Sequence, residues 1–146
     1  MNEKIQLRFQ KPRPSEYIRI RKECGFGEVS LKQSETCFDN SLFLVSIYDS
    51  ENLIGFGRVV GDGVLCFYIA DVLVSPKMVG KGIGKTIMKE LMAYLRETAN
   101  PLSIIALLAA PDKEHFYSKH GFEACPNKYF GKGMSYIKWV DLEEKN

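Results

Sequence analysis

The segment IADVLVSPKMVGKGIGKT, residues 69–86, decides how the chain is read. Its first half is an apolar, β-branched run that predicts a strand, and Pro76 stops it. Its second half is a turn with Gly80, Gly82 and Gly84, which opens a helix. From Gly82 to Thr98 the residues Ile83, Ile87, Leu91, Tyr94 and Leu95 form one apolar stripe, while Lys85, Lys89, Glu90 and Glu97 face elsewhere. The first amides of a helix have no partner inside it, and they carry the positive end of its dipole. Glycines let a ligand approach the main chain, and Lys81 and Lys85 add charge nearby. The turn is therefore suited to a phosphate or pyrophosphate.

Two nucleotide motifs fit this segment poorly. A P-loop needs GxxxxGK[ST]; Gly84-Lys85-Thr86 supplies its end, but Val79 stands where the first glycine belongs. The strand that follows, Ile104–Ala109, ends without the acidic residue that would hold magnesium. A dinucleotide fingerprint needs GxGxxG, whereas the glycines here alternate. A plain strand-to-helix turn stays open on these residues alone.

Working outward, Ile5–Phe9 alternates and predicts a first strand. Ser15 is placed to cap a helix that carries Tyr17, Ile20 and Cys24 on one face and ends at Gly25 and Gly27. A weaker helix runs from about Ser30 to Asn40. Ser41–Tyr48, Leu53–Val60 and Val64–Val74 read as a β-meander, with Gly61-Asp62-Gly63 as its second turn. Gly55 and Gly57 leave room on one face of the middle strand. After the long helix, Asn100-Pro101 breaks the chain and Ser103–Ala109 reads as a buried strand. Asp112 is placed to cap a short helix, Lys113–His120, that Gly121 ends, and Met134–Val140 is a last strand. The order β–α–α–β–β–β–α–β–α–β implies an α/β domain with a mixed sheet and helices on both faces.

Composition narrows the function classes. With 146 residues the chain suits one domain, residues 1–146. A formal charge of +2 is too small to argue for nucleic acid or an anionic membrane surface. No apolar run is long enough to cross a bilayer, and the N-terminus lacks the apolar core of a signal peptide. Cys24, Cys37, Cys66 and Cys125 are far apart with no CxxC, which argues against zinc and against a disulfide framework. A reducing cytoplasm is the expected compartment, and no metal is expected.

Two blocks together resemble the GNAT superfamily of N-acetyltransferases. The first, Val74-Ser75-Pro76 followed by Val79-Gly80-Lys81-Gly82-Ile83-Gly84, is similar to that family's V-x-P and [QR]-x-x-G-x-[GA] signature. The second, Phe116-Tyr117-Ser118-Lys119-His120-Gly121-Phe122, is similar to its F-Y-x-x-x-G-F block and lies at the right distance downstream. The matching portion runs from Leu65 to Ala124. The chain departs from the pattern at Val79, where Gln or Arg is usual, and at Ala110–Asp112, where an Asn is usual.

The resemblance implies a mostly antiparallel sheet whose one parallel pair splays apart. It implies acetyl-coenzyme A as co-substrate and a primary amine as acceptor. Backbone around Val72, Leu73 and Val74 would grip the acetyl-pantetheine arm. Amides of Val79, Gly80, Lys81, Gly82, Ile83, Gly84 and Lys85 would hold the pyrophosphate. Phe116 and Tyr117 would line the coenzyme, with Tyr117 as the acid that protonates the departing thiolate. A tyrosine hydroxyl suits that task, since it stays protonated at neutral pH.

Asp71 is a carboxylate in an apolar strand, so it should face a cavity, a ligand or a partner such as Arg58. It is equally a candidate base and a structural ion pair. Glu28 and Glu35 lie in the helical region that borders the acceptor in the family, where either could bind a cationic amine. His115 reads as solvated, His120 as a helix C-cap, and Cys66, Cys125 and Trp139 as packing residues. A small-molecule acceptor is expected rather than a protein, and a homodimer stays open. The alternative is a non-catalytic acetyl-coenzyme A binder of the same fold.

Overall fold

The structure is a computed structural model that describes residues 4–138. Its backbone groups into two compact units, Met1–Leu108 and Ala109–Asn146. In the first unit the chain runs β1 (Ile5–Arg8), α1 (Pro14–Glu23), α2 (Leu31–Asp39), β2 (Phe43–Asp49), β3 (Asn52–Gly61), β4 (Cys66–Val74), a 3-10 turn at Pro76–Met78, α3 (Ile83–Thr98) and β5 (Ile104–Ala106). The strands form one sheet in the order β1-β2-β3-β4-β5. The first three pairings are antiparallel and β4–β5 is parallel. This is the mixed sheet that the element order predicts.

The two faces of the sheet are filled differently. On one face α3 lies against β3, and the glycines of β3 make the room. A Cβ at Gly55 would come within 2.6 Å of Ile83, and one at Gly57 within 2.5 Å of Ile87. The stripe Ile83, Ile87, Leu91 and Leu95 is buried as expected, with Met88 beside it. Tyr94 is half-buried and stacks on Phe43 at 4.7 Å between centroids. The opposite face carries α1 and α2 over an aromatic cluster, in which Tyr17 meets Phe38 at 4.9 Å and Phe56 at 5.2 Å.

Local chemistry explains most element ends. Ser30 accepts from the Gln33 amide while the Gln33 side chain accepts from the Ser30 amide, so a capping box opens α2. α1 opens otherwise than expected: Arg13 is its N-cap, and Pro14, not Ser15, makes the start, because proline is preset for the first helical position. β4 begins at Cys66 rather than Val64, since Asp62 takes the amides of Val64, Leu65 and Cys66 into the hairpin turn. These three donors hold the Asp62 carboxyl below its ordinary pKa. β5 is shorter than the apolar run that suggested it.

The second unit holds one short helix, α4 (Glu114–Ser118). Gly121 follows it with φ +91°, as its role in ending the helix requires. Asp112 does not cap α4: its own φ is +66° and Lys113 is the N-cap, with no side-chain bond. Residues 134–137 are irregular rather than a strand, and Val140 and Trp139 lie outside the described residues.

Candidate active site

β4 carries an irregularity at the point where the site is built. Between Phe56 and Arg58 on β3 there is one residue, Gly57; between their partners Leu73 and Ala70 on β4 there are two, Asp71 and Val72. That is a β-bulge, and Asp71 sits in it at φ +57°, a left-handed conformation that Asp tolerates better than most residues. A bulge bends its strand and sharpens the twist. The parallel pairing with β5 spans only Cys66–Tyr68 with Ile104–Ala106, while β4 runs on to Val74. The outer edge of β4 past Tyr68 is thereby left without a strand partner among the described residues, a wedge of main-chain donors and acceptors.

Beyond the wedge lies the glycine turn. Val79, Gly80, Lys81 and Gly82 are exposed. Gly80 has φ +84° and Gly82 φ +83°, and a Cβ at either would point into open space. Their conformation, not crowding, is what calls for glycine. Gly82 is the N-cap of α3 and offers no side chain to the first turn. The first helical bond is from the Thr86 amide to Gly82 O at 3.1 Å. The amides of Ile83, Gly84 and Lys85 therefore point out of the helix start. The Lys81 amide, also expected at the pyrophosphate, instead donates to Met78 O at 3.3 Å. Ile83 and Leu73 have buried side chains, so each can serve a ligand only through its backbone. The surface hollow lined by Phe9, Lys11 and Phe43 involves none of these residues.

Asp71 turns its side chain to the α1 and α2 face. One oxygen accepts from Tyr17 Oη at 2.5 Å and Arg58 Nε at 2.7 Å; the other accepts from Arg21 Nη1 at 3.0 Å. The carboxylate is 10% exposed. The pairing with Arg58 was foreseeable from the strand pattern; the partners on α1 were not. Burial foremost, then the neighbouring Asp71, pushes the Tyr17 hydroxyl up to about 12. Cys24 follows α1 and gives its thiol to Val74 O at 3.3 Å, and burial pushes that thiol up.

Glu28 and Glu35 are exposed. In the second unit Tyr117 is half-buried, 5.0 Å from Phe116 and 6.4 Å from Phe122 between ring centroids. The His120 ring packs on Phe116 at 5.2 Å. Cys66 and Cys125 are exposed, which corrects their expected role in packing. Among the described residues no group of His, Cys, Asp or Glu is arranged to hold a metal, and no helix is long and apolar enough to cross a membrane.

An uncapped helix start beside an unpaired strand edge offers main-chain donors to an anionic ligand, and comparison with known proteins shows the class. The acetyltransferase (GNAT) domain family matches residues 23–140, so the chain belongs to the GNAT acetyltransferases. An uncharacterized N-acetyltransferase of Gracilaria tenuistipitata is 33% identical over 122 residues, 81% of this chain and 63% of that protein. A chloroplastic serotonin N-acetyltransferase of Oryza sativa is 36% identical over 85 residues, 58% of this chain and 40% of that protein. The chain thus spans less than two thirds of the length of these relatives. A Staphylococcus aureus protein of unknown function, named as a probable acetyltransferase, superposes with a TM-score of 0.81 at 29% identity over 90% of this chain and 99% of that one.

Proposed function

We propose that the chain transfers an acetyl group from acetyl-coenzyme A to a primary amine by direct attack within a ternary complex. The observation that carries this is the continuity from the open edge of β4 to the uncapped start of α3. The amides of Gly82 to Lys85 and the Lys81 and Lys85 side chains bind the pyrophosphate. The pantetheine arm adds to β4 like a short strand along Val72–Val74 and delivers the thioester to the bulge. Backbone donors there stabilise the oxyanion that forms when the amine attacks. The acceptor approaches from the face that carries α1 and α2, opposite the face that carries α3.

Tyr117 is assigned as proton donor to the coenzyme A thiolate, and Phe116 as a coenzyme contact, from their place in the family pattern. Asp71 is assigned a positioning role rather than that of base, because three donors already occupy its two oxygens. The amine then loses its proton to water. The acceptor is a small molecule, and residues 1–146 work as one catalytic domain.

Release of free thiol from acetyl-coenzyme A, followed against a panel of primary amines, tests the proposal. Amine-dependent release is expected. Coenzyme binding with no release from any amine would favour the non-catalytic binder.

A further inference from the structure

The polar cluster at the bulge contains more positive charge than its own structure needs. Two guanidiniums, Arg21 and Arg58, share the single carboxylate of Asp71. Tyr17 adds no negative charge, since its hydroxyl is held protonated well above neutral pH. The other acids of α1, Glu16 and Glu23, share Arg19 at 2.5 and 2.6 Å, and neither is ion-paired with Arg21 or Arg58; Glu23 also lies 3.4 Å from Ser75 Oγ. A net positive charge is left, and it is mostly buried: the Arg21 and Arg58 side chains are 17% and 16% exposed. Such a charge is costly unless an anion answers it.

The guanidiniums also keep donors in reserve. Arg21 uses Nη1 on Asp71 and Nε on Gly27 O at 3.3 Å; Arg58 uses Nε on Asp71 and reaches Ser41 Oγ from Nη1 at 3.5 Å. Nη2 of each has no partner among the described residues, and neither atom is sealed from solvent. Phe26, half-exposed, lies against Arg21 with its ring centroid 5.4 Å from the guanidinium carbon and limits where that fork can point. Asp71 therefore holds two planar cationic forks together, one residue along the chain from Val72.

We propose that Arg21 and Arg58 bind a carboxylate on the acceptor, so that the substrate class is a primary amine that also carries a carboxylate, such as an amino acid. This rests on the acetyl-transfer function proposed above. A guanidinium fork matches the geometry of a carboxylate, and the contact is charge-assisted. The same positive charge disfavours the ammonium form of the incoming amine and so favours the nucleophile. It also repels a second ammonium group, which disfavours diamines and polyamines.

The test uses the whole chain and primary amines of matched length that end in a carboxylate, a methyl or an ammonium group, together with α-amino acids and their methyl esters. The carboxylate members should show kcat/KM about tenfold or more above their neutral counterparts, as a charge-assisted contact predicts, with diamines lowest. Arg21→Gln should pull the carboxylate-to-neutral ratio towards one, mainly through KM. Arg21→Lys should restore part of it. Equal or reversed preference in the wild type overturns the carboxylate subsite while leaving acetyl transfer intact. A ratio unchanged in Arg21→Gln overturns the assignment to Arg21. No turnover of any amine, with or without heat on titration with coenzyme A, overturns both.

Discussion

The two faces of the sheet solve opposite problems. The α3 face is bare at two positions of β3: Gly55 and Gly57 let Ile83, Ile87 and Leu91 settle onto the strand, so apolar fit places the start of α3. The α1 and α2 face uses polar groups in a cluster that ties β3, β4 and α1 together at the bulge. The first arrangement leaves the amides at the start of α3 unspent. The second gathers charges at the bulge. On the proposed function, coenzyme recognition and acceptor recognition are separable, and substitutions on each face should affect different quantities.

The largest effect is expected from Asp71→Ala. It leaves two mostly buried guanidiniums without their shared anion, and losing one partner of a buried pair costs about 3 kcal/mol or more. Urea unfolding would measure this; Asp71→Asn, which keeps hydrogen-bond acceptance and tolerates the positive φ, should cost less. If Asp71→Ala unfolds at the wild-type midpoint, the cluster is not a structural hub.

Next in size is Gly57→Ala on the other face. The new Cβ meets a Cγ2 methyl of Ile87, a branched group that cannot swing away. Overpacking of this kind costs about 1–3 kcal/mol. Because α3 must shift to accommodate it, coenzyme affinity should weaken as well. A loss of stability with unchanged affinity would show that α3 does not transmit the strain to its first turn.

A smaller effect is expected at alkaline pH. The Tyr17 hydroxyl has its pKa raised in the folded chain from 10.0 to about 12. The folded state then binds this proton more tightly than the unfolded one. Its contribution is complete below about pH 10 and is lost as pH rises towards 12. The wild type should lose melting temperature over that interval more steeply than Tyr17→Phe. Parallel curves would remove Tyr17 from the cluster.

Much of this was legible from residue order. The stripe of α3 follows the helical period, the start of α2 near Ser30 is set locally, and Gly55 and Gly57 announce a close approach on β3. The glycine turn could be read as an anion site because helix-start amides and glycine conformations are properties of a few neighbouring residues. The cluster at Asp71 was only half legible. Arg58 lies across a hairpin, but Tyr17 and Arg21 are 54 and 50 residues away in the chain, and only the packing of α1 brings them to the bulge. Met88 was missed because the stripe is wider than the five positions used to define it. Asp112 failed as a cap because its backbone takes a left-handed turn instead. Glu28 and Glu35 are both exposed.

The central claim is that the uncapped start of α3 clasps the coenzyme's diphosphate. Calorimetric titration of the chain and of Gly82→Val with coenzyme A tests it most directly, since a side chain at Gly82 meets open space but opposes its φ of +83°. Saturable binding to the wild type, weakened about tenfold or more in the variant as the donors of the turn lose their alignment, is the expected result. No heat with the wild type, or equal affinity in the two proteins, would contradict it.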